Sequence, residues 1–494
     1  MLLLITCTLV TTLYATTITI ANVSLPQIQG ALSASPDQVA WVVTSNLIAT
    51  AVTIPLAGWV SARFGRRRCM LWGVLGFAVA TLMCGLSTSL SELIFWRVVQ
   101  SAFGSPLTPI AQSVVIDAFS AEKRAKAISI FTMGVGVVPT IAPMIGGYIS
   151  EEISWRWIFF ILIPIAVMAF VGVLMFIKAD PPRSHRAKLD WTGFLSLSIF
   201  IACIQLMLDR GESQGWFGSF EIMVEAVGAI IFGWIFITHS FTAERPFIDL
   251  RLLRERNFVL GICISAVFGM LFVTPMVLMP AMLQQLRDVP EFTIGFLIGI
   301  RGFGTAIAQI LVILVANRWD PRLMMMLGFG VHTYAGIEMS TFGMDVSLAD
   351  VSWTMAIQGF GVGFLWLPMT LVIVSNFDPK RTPEGMAMFH FVRSVASSFY
   401  ISASFIVIFH TQKMNYSELV QMINPYTDRL NLAAAVGWGG ELPSSMAGVA
   451  GEITRQATNI GYINVYHLFL WTSMLVYPLI IMITWPPKGF QQNR

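Results

Sequence analysis

Charged residues are scarce in this chain of 494 residues, at 12%, whereas hydrophobic residues make up 56%. Soluble proteins carry about 25% charged residues, so this composition excludes a water-soluble globular domain. Apolar runs of about 20 residues recur along the sequence, and a helix of that length crosses a hydrocarbon core of about 30 Å. The composition therefore predicts an all-α protein that spans a membrane many times.

Cysteine is also rare, and no nucleotide-binding loop occurs. The five cysteines are an odd number without metal-type spacing, which argues against a disulfide framework and against a metal site. The pattern G-x-x-x-x-G-K-S/T is absent, so ATP is not the expected energy source. The net charge of +3 gives no indication of a nucleic acid partner. We predict a protein without enzyme activity, cofactor or metal.

Fourteen apolar spans predict fourteen transmembrane helices. The first span lacks a basic n-region and an A-x-A cleavage site, which favours a retained helix over a signal peptide. We divide the chain into a six-helix half (1–178), two additional helices with linkers (179–256), and a second six-helix half (257–494) that includes a long polar loop, 410–464. The spans lie near 3–24, 39–61, 70–88, 93–117, 126–149, 157–178, 192–208, 221–242, 257–283, 293–316, 323–343, 352–375, 386–409 and 465–485.

The loops between these spans differ in charge. Those after even-numbered spans, together with the C-terminal tail, carry 21 of the 30 lysines and arginines, whereas the loops on the other side carry six. Basic residues are enriched in cytoplasmic loops. The charge distribution therefore predicts that both termini are cytoplasmic and that the loop 410–464 is periplasmic.

Three arginines lie inside apolar spans, at Arg97, Arg301 and Arg393. Placing an arginine near the centre of a membrane helix costs at least ~2.5–3.5 kcal/mol, so such a residue usually faces the interior of the bundle and marks a pathway. The alternatives are a structural salt bridge and a side chain that extends to the membrane surface. We expect these arginines to take part in transport or to support it.

Other polar residues also fall within the spans. Gln100 and Gln112 share a predicted helix with Arg97, and His390 lies three residues before Arg393 on the same helical face. The other polar residues within predicted spans that we single out are Asn22, Gln309 and Gln358. A polar lining of this kind is more typical of a solute pathway than of a receptor or an enzyme.

The stretch "GVGVVPTIAPMIGGYI" at 134–149 combines glycines and prolines with an uncharged, apolar sequence. Small residues four positions apart let two helix backbones approach closely, and prolines bend a helix. One stripe contains Gly134, Val138, Ala142 and Gly146, and the adjoining stripe contains Gly136, Pro139, Thr140, Pro143 and Gly147. We predict an interface on which two halves of the bundle rock; the alternative is an ordinary tight helix contact.

This stretch resembles motif C of the major facilitator superfamily, which is associated with antiporters, although Ala142 stands where the family usually has glycine. "LIFWRVVQSAFGSP" resembles motif B, with Arg97 as its membrane arginine. "GWVSARFGRRR" at 58–68 resembles motif A, in which Gly65 permits a tight turn. In motif A, Ala62 replaces the family's aspartate, and the basic residues can pair with acids such as Asp117. The motif A residues are Gly58, Arg63, Gly65, Arg66 and Arg67.

The order of these motifs and the count of spans resemble the fourteen-helix drug:proton antiporter group, and within it the EmrB-type multidrug efflux permeases. Supporting stretches are "IANVSLPQIQGAL", "LMLDRGESQGWFGSFEI" and "MAMFHFVRSVASS". The resemblance implies a major facilitator fold in a bacterial inner membrane, with a cavity between the halves. It also implies proton-driven efflux of hydrophobic or amphiphilic compounds.

The residue that carries the coupling proton is less evident. The family's first helix commonly carries an aspartate where this chain has Thr17. A membrane-embedded carboxylate or a histidine is the natural carrier of a proton. The remaining candidates are Glu225, Glu338, His390 and Asp117, and for each of them structural pairing is the alternative.

The resemblance further implies partners, namely a periplasmic adaptor (a membrane fusion protein) and a TolC-type outer-membrane channel. The loop 410–464 is polar with interspersed Leu430, Leu432 and Trp438, and loops of this length are often functional, so we expect the adaptor to dock there. Two other functions stay open: a dedicated exporter of one metabolite, siderophore or fatty acid, and a membrane scaffold or sensor that does not transport.

Overall fold

The computed structural model describes residues 1–179, 188–211, 214–244, 246–248, 250–315, 318–374, 382–422 and 442–484. These residues form α-helices joined by short connections and two 3₁₀ turns, with no strand in the ranges given. The N-terminal helices are α1 (Leu2–Val23), α2 (Leu25–Ala31), α3 (Pro36–Thr53), α4 (Leu56–Phe64), α5 (Arg66–Leu86), α6 (Leu90–Gly104), α7 (Leu107–Ala118), α8 (Ala121–Glu152), α9 (Trp157–Phe160) and α10 (Leu162–Phe176).

A helical hairpin follows, and the remaining helices complete the bundle. The hairpin consists of α11 (Trp191–Arg210) and α12 (Phe220–Thr242). The C-terminal helices are α13 (Arg256–Arg287), α14 (Glu291–Val315), α15 (Pro321–Ser340), α16 (Leu348–Gly363), α17 (Trp366–Val374), α18 (Thr382–Met422), α19 (Leu442–Leu475) and α20 (Tyr477–Ile481).

The all-helical fold is as predicted, but the count of fourteen spans remains a prediction. Among the described residues, eleven helices are long and apolar enough to cross a membrane, or twelve if the bent pair α3–α4 forms one span. The spans predicted near 93–117 and 323–343 are also helical, as α6–α7 and α15. The break between α6 and α7 leaves two pieces of 15 and 12 residues, and each is shorter than a complete span.

Prolines account for most of the breaks within spans. Pro55 stands between α3 and α4, which are bent by 54°, and Pro106 stands between α6 and α7. Proline has no N–H to donate and its ring clashes with the carbonyl four residues earlier, so a helix bends or ends there. Helix α8 nevertheless continues through Pro139 and Pro143. Its freed carbonyl at Pro139 accepts a hydrogen bond of 2.8 Å from the Thr19 hydroxyl on α1.

Helix α8 lies between α1 and α14 and packs extensively against both. One buried apolar cluster comes mainly from α1, α5, α7, α8 and α10, and a larger one comes mainly from α13 to α20. The hairpin α11–α12 joins α3 and α18 through a smaller cluster that includes Ile54, Ile201 and Phe391. The division of the chain at 178 and 256 into two halves and a hairpin stays a prediction.

The long loop predicted at 410–464 is largely helical where the structure describes it. Helix α18 runs on to Met422, and α19 already begins at Leu442, so both helices are longer than their apolar spans. The polar extensions are helical because they pack: Gly461 lies against the backbone of Ile408, and Arg455 Nε donates to the Leu286 carbonyl at 2.7 Å. Leu430, Leu432 and Trp438 lie outside the described residues.

Candidate functional site

Arg97 on α6 is 1% exposed and is held by polar neighbours within the N-terminal helices. Its Nη1 donates to Gln100 Oε1 at 2.8 Å, and Gln100 Nε2 donates to Thr81 Oγ1 at 2.7 Å. The guanidinium also lies over the Phe159 ring, 6.0 Å from its centroid. The arrangement leaves one buried donor, Nε, without a hydrogen-bond partner in the described residues.

Arg301 on α14 has a corresponding environment in the C-terminal helices. It is fully buried, its Nε donates to Gln358 Oε1 on α16, and its Nη2 donates to the Phe272 carbonyl on α13 at 2.7 Å. The guanidinium lies 4.7 Å from the centroid of the Phe272 ring. Nη1 is without a partner in the part of the chain that the structure describes. Both arginines are thus held by a glutamine and an aromatic ring, and each has a buried nitrogen without a hydrogen-bond partner in the described residues.

Arg393 and His390 on α18 meet at Trp366 of α17, as expected for residues on one helical face. The Arg393 guanidinium lies 5.1 Å from the Trp366 ring centroid, and the His390 ring lies 6.3 Å from it. His390 Nε2 donates to Gln112 Oε1 on α7 at 2.5 Å, while Gln112 Nε2 donates to Thr370 Oγ1 on α17 at 3.1 Å. This buried network joins an N-terminal helix to two C-terminal helices.

Ion pairs form elsewhere in the described residues, but none involves these three arginines. A structural salt bridge, the alternative reading of the sequence, is therefore not what holds them there. Uncompensated charge in a low-dielectric interior is costly unless it is hydrogen-bonded. The glutamines, backbone carbonyls and aromatic rings described above supply that stabilisation in part. The interior of the bundle is consequently electropositive.

The motif C residues of α8 face two different helices. Gly134 and Gly146 lie against Thr8 and Ile20 of α1, whereas Gly136 lies nearest to Thr305 of α14. Val138, predicted on the same stripe as Gly134, is 45% exposed.

Glycines of α14 complete this contact. A Cβ on Gly295 would meet the Pro143 carbonyl at 2.6 Å, and one on Gly302 would meet the Thr140 hydroxyl at 2.7 Å. Gly299 lies against the Met144 side chain. The close approach therefore needs small residues on both helices. Sequence analysis missed the glycines of α14, although their G-x-x-x-G spacing is visible in the sequence.

The motif A residues surround the turn between α4 and α5. Gly65 has φ of 84°, a conformation that favours glycine, and it ends α4 while starting α5. Arg66 Nη1 forms an ion pair of 2.6 Å with Asp117 Oδ2 of α7, as the sequence suggested. Arg67 donates to the Leu174 carbonyl, and Arg63 lies over the Trp59 ring.

Gly58, the first residue of motif A, faces the N-terminal part of α18. A Cβ there would lie 3.5 Å from the Glu384 side chain. Asp117, one of the candidate proton carriers, is partly exposed and engaged with Arg66. Motif A thus links α4, α5, α7 and α18 at one end of the bundle.

The other candidate proton carriers lie apart from the arginines. Thr17 is buried and its hydroxyl donates to the Leu13 carbonyl within α1. Glu338 is half-buried near the end of α15, and Glu225 is 8% exposed within the hairpin α11–α12. Asn22 has a buried Oδ1 without a partner among the described residues. Of the candidate carriers, only His390 joins the network around Trp366.

Sequence analysis missed Asp209 of α11, whose carboxylate accepts hydrogen bonds from three side chains. The donors are Thr44 on α3, Gln205 on α11 and Ser402 on α18. Asp209 belongs to the stretch "LMLDRGESQGWFGSFEI", which drew attention only for its resemblance to a family. An aspartate close to a turn is common in the sequence of a membrane protein, so Asp209 gave no signal before the positions of α3 and α18 were known.

The helices are apolar outside and enclose a polar, electropositive interior, and the N-terminal and C-terminal helices meet at the closely packed contact of α8 with α14. These features define a multi-pass membrane transporter. The match to the family described as Major Facilitator Superfamily extends over residues 7–401, and the chain belongs to this superfamily.

Similar proteins include multidrug exporters and a fatty acid resistance protein. The chain is 32% identical to Multidrug export protein EmrB of Escherichia coli (strain K12) over 95% of this chain and 92% of that protein. It is 28% identical to Fatty acid resistance protein FarB of Neisseria gonorrhoeae, with the same two shares covered.

Solved structures of other transporters share the fold. A bacterial homolog of the human lysosomal transporter Spinster, in an inward-facing conformation, aligns with a TM-score of 0.55 at 15% identity over 98% of each chain. The human organic anion transporter MFSD10 aligns with a TM-score of 0.56 at 14% identity over 96% of this chain and 98% of that one. At these identities the likeness concerns the fold alone.

Proposed function

We propose that this protein is a proton-driven secondary active exporter of hydrophobic or amphiphilic compounds in the bacterial inner membrane. The observation that carries the proposal is the similarity to multidrug exporters over 95% of the chain. The interior supports it, because Arg97, Arg301 and Arg393 each retain a nitrogen without a hydrogen-bond partner in the described residues. A substrate can bind there without first breaking an ion pair.

The helix contacts suggest how such a carrier moves. The seam of α8 and α14 has small residues on both sides and two prolines in α8, which permits sliding and bending while the backbones stay close. The hydrogen bond between Gln112 and His390 crosses from an N-terminal to a C-terminal helix. We infer that alternating access rocks the two groups of helices about this seam, and that the bond between His390 and Gln112 breaks in one of the two states.

A dedicated exporter of an anionic amphiphile, such as a fatty acid, is the second candidate. The three arginines form no ion pair within the described ranges, so a carboxylate substrate would meet an electropositive interior. The similarity to a fatty acid resistance protein points the same way. The same fold serves both functions, and only the preferred charge of the substrate separates them.

The partners proposed are a periplasmic adaptor and a TolC-type outer-membrane channel. The polar extensions of α18 and α19 support this part of the proposal, because they pair with each other beyond the apolar spans. Asn464 Nδ2 donates to Thr411 Oγ1 at 3.4 Å, and Gly461 lies against Ile408. We infer that this helical pair supports the segment between its ends, residues 423–441, to which the adaptor binds.

Reconstitution in proteoliposomes tests the proposed function. The purified protein is assayed with ethidium, a cationic amphiphile, and with oleate, an anionic one, each with and without an imposed pH gradient. We expect the protein to accumulate either probe against the probe's own concentration gradient, and to do so only when the pH gradient is present. Transport of oleate alone favours the dedicated exporter. Absence of flux for both probes under the gradient contradicts the proposal and favours a scaffold or sensor.

A further inference from the structure

Asp209 connects three elements that belong to different parts of the chain. Its Oδ2 accepts a hydrogen bond of 3.0 Å from Thr44 Oγ1 on α3. Its Oδ1 accepts one of 2.9 Å from Gln205 Nε2 on its own helix, and another from Ser402 Oγ on α18. The carboxylate therefore fastens the hairpin α11–α12 to an N-terminal helix and to a C-terminal helix at once.

The position of Asp209 makes it accessible to protons from one side. It is the penultimate residue of α11, next to the turn that leads into α12. The residue is exposed. On the topology predicted from the distribution of charge, that turn lies on the side opposite to the basic loops. Ser402 lies near the middle of α18, within the membrane-crossing part of that helix. Asp209 thus joins an aqueous surface to a helix that also carries His390 and Arg393.

Among the described residues, no basic side chain forms an ion pair with Asp209. Arg210, the next residue, forms a bidentate ion pair with Glu221 of α12 and lies 5.6 Å from the Trp41 ring centroid on α3. Glu225 lies one turn beyond Glu221 on α12 and is 8% exposed. At Asp209 itself, α3 and α18 contribute the neutral hydroxyls of Thr44 and Ser402. Uptake of a proton therefore leaves no arginine without its partner.

We propose that Asp209 binds the coupled proton and that proton binding loosens the attachment of α18 to the hairpin. The inference rests on the proposed function, in which export is driven by protons. The proton joins Oδ2, which then donates to Thr44 Oγ1, a hydroxyl that can accept as readily as it donates. Oδ1 loses its charge, and hydrogen bonds to a neutral oxygen are about half as strong as those to a carboxylate. The bonds from Ser402 and Gln205 weaken as a result.

Glu225 is a less suitable carrier than Asp209. Its side chain lies within the hairpin and has an Oε2 without a partner among the described residues. No hydrogen bond among the described residues joins Glu225 to α3 or α18, and its link to α3 is indirect, through Arg210 over the Trp41 ring. A coupling residue must differ in its interactions between the two states of the carrier, and Asp209 meets that condition through Thr44 and Ser402.

The test compares Asp209→Asn and Asp209→Glu with the control Glu225→Gln in proteoliposomes. The probe is ethidium or oleate, whichever the wild-type protein transports. One assay measures accumulation driven by a pH gradient, and the other measures exchange of labelled for unlabelled probe at equal pH. We expect Asp209→Asn to reduce gradient-driven accumulation at least tenfold and to leave exchange within about twofold of wild type. Asp209→Glu should restore part of the accumulation, and Glu225→Gln should retain it.

Two results overturn the inference while the proposed function stands. One is normal gradient-driven accumulation by Asp209→Asn, and the other is equal loss of accumulation and exchange, which would show a merely structural role. Loss of accumulation in Glu225→Gln alone would assign the proton to that residue instead. If the wild-type protein itself ignores the pH gradient, proton-driven export fails as a function, independently of Asp209.

Discussion

At the residue scale, buried arginines held by neutral partners distinguish the interior of this protein. Arg97 and Arg301 each donate to a glutamine and lie over a phenylalanine ring. A guanidinium in this setting keeps its charge available, because neutral partners do not cancel it. The cost of burying that charge suggests that the arginines are retained for the transported solute rather than for stability.

Arg97→Ala is therefore expected to reduce transport at least tenfold while the protein still inserts and folds. Arg97→Lys should recover little of the transport. Lysine lacks the planar, forked guanidinium with which arginine can bind Gln100 and a solute at the same time. Flux in proteoliposomes and elution on size-exclusion chromatography are the two measurements. Arg68→Ala, on an exposed residue of the motif A turn, is the control. Normal flux through Arg97→Ala would remove Arg97 from the pathway.

At the element scale, the contact between α8 and α14 controls how closely the two groups of helices approach. Its glycines occur on both helices, and the hydroxyl of Thr19 satisfies the carbonyl that Pro143 leaves free. Helix α8 can therefore contain two prolines without breaking. The stretch that reads as a loop in a soluble protein is a helix here because α1 supplies the missing donor.

Gly302→Leu is expected to block the exchange of conformations. A Cβ at Gly302 would already meet Thr140 at 2.7 Å and Ile141 at 2.8 Å, so the larger side chain pushes α14 away from α8. A Cβ at Gly136 would lie 3.4 Å from the Thr305 side chain, so Gly136→Leu should have a smaller effect of the same kind. We expect retained binding of the probe by equilibrium dialysis with efflux reduced more than tenfold for Gly302→Leu.

The matched control is Gly451→Leu on α19, where a Cβ would meet no atom within 4 Å. Efflux by this variant should equal that of the wild type. If Gly302→Leu also exports normally, the seam is a static contact and the proposed rocking motion does not involve it.

At the scale of the whole molecule, the orientation in the membrane follows from charge. Basic residues are concentrated in the loops after even-numbered spans, which predicts that the paired extensions of α18 and α19 project into the periplasm. The ion pair of Arg66 with Asp117 and the contact of Gly58 with Glu384 lie at the opposite end. The two ends of the bundle thus differ in both charge and shape.

Cysteine labelling of intact cells checks this orientation. A cysteine at Ser417, in the extension of α18, should react with a reagent that does not cross the membrane, whereas one at Ser120, before α8, should react only after permeabilisation. The background is a variant in which the five native cysteines are replaced by serine or alanine. Labelling at Ser120 in intact cells would invert the predicted topology.

Replacement of residues 423–441 by a Gly/Ser linker of equal length tests the docking of the adaptor. The packed helices on either side, anchored by Arg455 to the Leu286 carbonyl, remain intact. The expected result is loss of the adaptor in pull-down assays, with probe exchange in proteoliposomes within about twofold of wild type. Recovery of the adaptor in normal amount would show that it docks elsewhere.

The amino-acid sequence by itself determined that the chain lies in lipid, where its helices run, and which superfamily it belongs to. Hydropathy is a local property, so the predicted spans coincide with helices even where these are broken at Pro55 or Pro106. The turn at Gly65 was likewise visible because it lies in motif A, and the pairing of Arg66 with Asp117 was expected because both residues lie near the ends of predicted spans.

Only the tertiary structure decided which distant side chains meet. Gln112 and His390 are 278 positions apart, and their hydrogen bond depends on how α7 and α18 are rotated about their axes. The same holds for Asp209, whose donors Thr44 and Ser402 lie 165 and 193 positions away in the sequence. In a membrane, neighbouring helices and lipid are equally apolar, so hydropathy does not specify which helix lies beside which. Close packing and the hydrogen bonds of a few polar residues select the partners.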